Sequence, residues 1–172
     1  MGPLALPSRH VVAPYLVGVA LLPLCALLLF GEYTVDPNPL IVLVHTWNLI
    51  IHEAGHDVFG LFGRTMMIAG GSILQLALPA LFVYQGVYWS RRVGTQLALL
   101  LLGQNVVDVS IYAADAQGRA LPHLGGDRVS HDWHTLLAQA GLLEATPVIA
   151  GLFVVGALAC WAAMLAVPRW IL

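Results

Sequence analysis

The chain contains no lysine; its seven basic residues are all arginine. Charged residues make up 9% of its 172 positions, whereas soluble domains carry about 25%. So little charge leaves almost nothing for a separate soluble domain. A net charge of −2 is also too small to imply nucleic acid or another highly charged partner. Cys25 and Cys160 both lie in apolar runs, which suits small buried hydrophobes better than a disulfide and says nothing of the redox compartment. No internal repeat or low-complexity segment is present. What remains is 59% hydrophobic, the composition of an integral membrane protein.

The expected fold is all-α: a single membrane domain over 1–172, a polytopic bundle of about five spanning helices plus a short interfacial helix. The spans are read at 11–30, 40–62, 73–89, 93–114 and 147–167, with a hydrophilic connection at 115–146. The first apolar stretch is long enough to cross a bilayer and too long for a signal-peptide core, so it is expected to stay as a first helix, kinked by Pro23. Gly70-Gly71-Ser72 is expected to open the third span, and Trp161, Arg169 and Trp170 to anchor an interface. Arginine does not decide orientation. Arg9, Arg64, Arg119 and Arg128 fall on one side, and Arg91, Arg92 and Arg169 on the other. In the connection, Ser130 suits a helix N-cap, and Trp133, Leu136, Leu137 and Ala140 form one apolar stripe ending near Gly141.

The second span carries His52-Glu53-Ala54-Gly55-His56, an HExxH sequence. On a helix the two histidines lie one turn apart on one face, about 6 Å along the axis. That suits two imidazoles closing on one zinc ion, with Glu53 placed to act on water as a general base. Charged groups in a lipid-spanning segment cost about 2.5–3.5 kcal/mol each, and a penalty of that size usually marks a site.

Catalytic zinc needs a third protein ligand. Asp108 and Asp115 lie seven residues apart on one face of the fourth span, and depth counted from the starts of the second and fourth spans favours Asp108, with Asp115 as the alternative. Asp115 also suits a cap on the connection. His45 precedes His52 by seven residues, about 10 Å along the helix, too far for the same metal. It suits a histidine bonded to water or a carboxylate. His131, Asp132 and His134 suit a cap over the site or partners orienting its ligands. Asn105 and Gln104 suit polarisation of a substrate carbonyl or, equally, interhelical hydrogen bonding. The glycines at 55, 60, 63, 70 and 71 suit close helix approach.

HEAGH within a membrane helix, Gly70-Gly71-Ser72-Ile73-Leu74-Gln75 at the next helix, Tyr112-Ala113-Ala114-Asp115-Ala116 and His131-Asp132-Trp133 resemble the site-2-protease-like intramembrane zinc metallopeptidases, in a small bacterial branch. The resemblance covers roughly 40–143. It implies Zn2+ bound by His52, His56 and a later aspartate, water activation by Glu53, and a membrane-protein or transmembrane-peptide substrate. The family places its aspartate before a glycine, and neither Asp108 nor Asp115 precedes one. The third ligand stays open between them. The alternative is a non-proteolytic membrane subunit that keeps the fold and packs in a larger complex. A weaker third idea is a metal path along His45, His52, His56 and Asp108. All-arginine basic usage with abundant alanine, glycine and leucine is associated with GC-rich bacteria, which gives a bacterial inner membrane as the expected location.

Overall fold

A computed structural model describes residues 9–31, 33, 36–121 and 131–171. Among them every regular element is helical, and there is no strand. The first apolar segment divides into α1 (Arg9–Ala20) and α2 (Leu22–Phe30), broken at Leu21, two residues before Pro23. Proline supplies no N–H to the preceding turn, so the ladder weakens there. α3 (Pro39–Gly60) starts cleanly, with Pro39 in its first turn and the Asn38 side chain accepting from Leu40 N–H at 2.9 Å.

α4 (Arg64–Tyr88) follows a three-residue turn in which Gly63 takes φ 97°, a conformation glycine adopts without steric cost. It starts nine residues earlier than the expected span, so Gly70-Gly71-Ser72 lies inside the helix instead of opening it. Packing explains this. A Cβ on Gly55 would collide with the backbone of Gly70 and Gly71, and one on Gly70 with Phe59 and the Gly55 carbonyl. The glycines let α3 and α4 run backbone to backbone, and that contact outweighs their poor helix propensity.

α5 (Arg92–Ala114) is the central helix, packed between α4 and α7 (Thr146–Trp170). Cys25, Leu28, Leu99, Leu100, Val107 and Met164 fill the core with Trp161. Trp161 is therefore not an interface anchor. Its ring lies against Gly103, its indole N–H donates to Leu100 O at 3.2 Å, and it is 5% exposed. Trp170 and Arg169 are exposed.

The short helix α6 (Asp132–Gln139) lies against α4 and α5, and a 3₁₀ turn (Leu143–Ala145) leads into α7. Its N-cap is His131, whose side chain accepts from His134 N–H. Ser130, the expected cap, lies outside the described residues.

Among the described residues, three helical stretches are long and apolar enough to cross a membrane: Arg64–Tyr88, Arg92–Ala114 and Leu143–Trp170. Tyr15–Phe30 is apolar but shorter. α3 has the length, 22 residues, but His45, Asn48, His52, Glu53, His56 and Asp57 lower its hydropathy.

Candidate metal centre

His52 and His56 project from the second half of α3 toward the glycine-lined face of α4. Their rings meet edge to face with centroids 5.0 Å apart. His52 is buried, His56 half-buried and Glu53 exposed. The third group is Asp132, from the first turn of α6. Its Oδ2 lies 3.0 Å from His52 Nε2 and 3.3 Å from His56 Nε2. His52, His56 and Asp132 can hold a metal ion, their ligand atoms all lying within 4.8 Å of one another.

The opposite ring nitrogens are also engaged. His52 Nδ1 is 3.0 Å from Gln75 Oε1, and His56 Nδ1 is 2.8 Å from Met67 O. Both histidines thus face an oxygen acceptor at each nitrogen. A neutral imidazole has one N–H. Spent on Gln75 and Met67, those protons leave two Nε2 lone pairs aimed at a carboxylate. Two further protons or one divalent cation complete the cluster.

α6 is fixed residue by residue. Asp132 N–H donates to Tyr112 Oη at 3.1 Å, and the hydroxyl reaches Asp132 Oδ2 at 3.4 Å. Tyr112 stacks on His131 at 4.3 Å. Trp133 Nε1–H donates to Ser72 Oγ on α4 at 3.2 Å, and its ring meets Phe153 on α7. His134 Nδ1 bonds Ala116 O at 2.8 Å, just beyond α5. Burial alone would raise the Asp132 carboxyl, but when protons and not a cation complete the cluster, the bonds from His52 and His56 outweigh it and hold the group low, at about 2.

The carboxylates expected at the metal are engaged elsewhere. Asp108 is bonded by His45 Nδ1 at 2.6 Å and by Gln75 Nε2 at 2.8 Å. Asp115 accepts from Ala120 N–H and Leu121 N–H, each at 2.9 Å, and lies 3.4 Å from His131 Nε2, so it caps the connection. The depth count favours Asp108 because it assumes that α3 and α5 begin level. They do not. Tyr112, nineteen residues past Val93, lies beside His52, only twelve past Leu40, at a ring distance of 5.6 Å. Asp108 instead meets His45, seven residues and about 10 Å along α3 before His52, which leaves it below the histidine pair.

Of the two roles expected for Asn105 and Gln104, hydrogen bonding within the bundle is the one their contacts serve. Asn105 Nδ2 donates to Leu101 O at 2.9 Å and approaches Gln104 Oε1, which accepts from Asn48. These amides form an interhelical polar seam. His131 caps α6 and stacks on Tyr112, whose ring in turn meets His52 of the histidine pair. Asp132, expected as an orienting partner, is the carboxylate in contact with it.

A signal for Asp132 is present in the sequence. It precedes Leu136 by four residues, so it shares the apolar stripe that faces the bundle.

No family model, curated protein or solved structure matches this chain.

Proposed function

We propose that this chain is a membrane-embedded zinc hydrolase that cleaves peptide bonds in or near the bilayer, with α3 as a further spanning helix. The observation that carries the reading is the convergence of two Nε2 nitrogens on one carboxylate oxygen, at separations of 3.0 and 3.3 Å, in a protein otherwise built for lipid. Tetrahedral zinc with bonds of about 2.0–2.1 Å sets its ligand atoms roughly 3.3–3.4 Å apart. The donor set, two imidazoles and a carboxylate, suits zinc and leaves its fourth position open. Bound zinc would supply Lewis acidity toward a carbonyl and make water acidic near neutral pH.

The chain's own residues do the rest. Glu53, beside His52 in sequence, lies within electrostatic reach of His56 and Tyr112. It takes the proton from attacking water and returns it to the departing amine. Tyr112 holds the Asp132 backbone and carboxylate in place. The exposed side of α3, where Glu53 lies, is the open approach. A helical substrate must unwind there, because its peptide bonds are otherwise shielded by their own hydrogen bonding.

The alternative, a non-proteolytic subunit of a larger complex, draws on the same exposed face. Leu43, Trp47, Ile50 and Val58 are exposed on α3 with the acidic Glu53 and Asp57, and a neighbouring subunit would cover them.

The deciding experiment measures zinc in the detergent-purified protein, wild type beside His56→Ala, then hydrolysis of transmembrane peptides in proteoliposomes with Glu53→Gln as control. About one zinc per chain, lost in His56→Ala, with turnover that requires Glu53, supports the enzyme. A wild type that takes up no supplied zinc refutes it. Zinc without turnover favours the packing subunit.

A further inference from the structure

The two histidines are oriented by different means. His56 Nδ1 faces the Met67 carbonyl, a group that can only accept, so its proton is fixed at Nδ1. His52 Nδ1 faces Gln75, whose amide can present either oxygen or N–H. Left to itself, Gln75 can turn and donate to Nδ1. His52 would then carry its proton on Nε2 and give it to Asp132, and a metal would have to break that charge-assisted bond.

Asp108 removes the ambiguity. Its Oδ2 accepts from Gln75 Nε2 at 2.8 Å while Oδ1 is bonded by His45 Nδ1 at 2.6 Å. A carboxylate offers Gln75 only acceptors, so the amide nitrogen turns to Asp108 and Oε1 is left for His52. Gln75 and Asp108 are 3% and 8% exposed, so water does not compete freely for these bonds. His45, half exposed, closes the outer end of the chain.

Resting on the metal-centre reading above, we infer that Asp108 is a positioning residue: through Gln75 it fixes the tautomer of His52 that can ligate the metal. Asp108 is bonded to His45 and Gln75 and not to His52, His56 or Asp132. Its influence passes through one amide whose orientation it dictates. Partners of this kind typically govern 10–100-fold in metal affinity.

The test measures zinc affinity of the detergent-purified full chain by competition with a chromophoric chelator. The proteins are wild type, Asp108→Leu, and Asp108→Leu combined with Gln75→Glu. Asp108→Leu frees the amide and is expected to weaken zinc binding by about 10–100-fold. The carboxylate that Gln75→Glu introduces in the double variant can only accept at His52 Nδ1, so it restores the tautomer without Asp108. Affinity is expected to return to within about threefold of wild type, since the carboxylate–histidine arrangement serves the same end. A merely structural Asp108 would not be rescued by a second buried carboxylate. The inference is overturned if Asp108→Leu binds zinc like wild type, or if the double variant stays as weak as the single one. A wild type that binds no zinc overturns the metal centre itself, which separates the two failures.

Discussion

Gly71→Ala is the sharpest probe of how the bundle builds the centre. A Cβ at this position on α4 would lie against the His52 ring, overlapping Nε2 and standing 2.5 Å from Cδ2 and 2.7 Å from Cε1. Ordinary contact begins near 3.4 Å, so the ring must withdraw by about 0.9 Å from the Cδ2 contact alone. Metal–ligand distances tolerate only about 0.2 Å. The displaced imidazole cannot meet a metal held by His56 and Asp132. The strain itself is modest, about 1–3 kcal/mol for one added methyl in a packed site, so the bundle should stay folded while the centre fails.

The expected result is a loss of zinc affinity of at least about 100-fold, larger than the effect of disturbing an outer partner. Helical circular dichroism should remain that of wild type. Gly60→Ala on α3 is the control: its Cβ would meet only Met67 Cγ at 3.7 Å and Sδ at 4.0 Å, and zinc binding should not change. If Gly71→Ala binds zinc as tightly as Gly60→Ala, the close packing of α4 on His52 does not set the ligand's position, and the geometric argument fails.

Three other outcomes are expected. Asp132→Ala should lose zinc by at least about 100-fold, while Asp115→Asn stays within about threefold, because Asp115 serves the connection and not the histidine pair; zinc retained in Asp132→Ala would remove that residue from the centre. Glu53→Gln should keep full zinc content yet hydrolyse a cleavable transmembrane peptide about 10²–10⁴-fold more slowly, and unchanged turnover would exclude Glu53 as the base. In metal-free protein the Asp132 carboxyl lies near 2, below its ordinary 3.8, so its share of stability is fully present above pH 3.8 and declines as pH falls toward 2. Thermal melts across that window should show a steeper acid loss for wild type than for Asp132→Asn; parallel curves would contradict the strong carboxylate–imidazole contacts.

Much of the helical plan is legible in the sequence because lipid-spanning stretches announce themselves through hydropathy. The expected fourth and fifth spans, 93–114 and 147–167, nearly coincide with α5 and α7. The start of α4 is not legible in the same way, because glycines read as breakers when their neighbours are unknown. Against α3 they become the means of contact, and only the packed structure reveals that Gly55, Gly70 and Gly71 meet. Trp161 misleads for a related reason: an aromatic residue near the end of an apolar run suits an interface belt equally well as a slot opened by a glycine on the next helix.

The carboxylate partner of the histidine pair shows a different limit. Depth along a helix is countable from sequence, but the relative heights of two helices that scarcely touch are not. α3 and α5 meet through a few side chains, among them His45 with Asp108 and Asn48 with Gln104, and helix starts read to within one residue do not fix how high the two helices stand against each other. The connection carries the better clue. A segment of His, Asp, Trp and His at the head of an amphipathic helix has one polar group for each fixing task. His131 caps the helix, Trp133 bonds Ser72 on α4, and His134 bonds the chain just past α5. Once those three are engaged, Asp132 is held at the bundle face where the two imidazoles converge. A lone aspartate on a surface helix carries no such meaning; fixed on both sides against a buried histidine pair, it becomes the natural third donor.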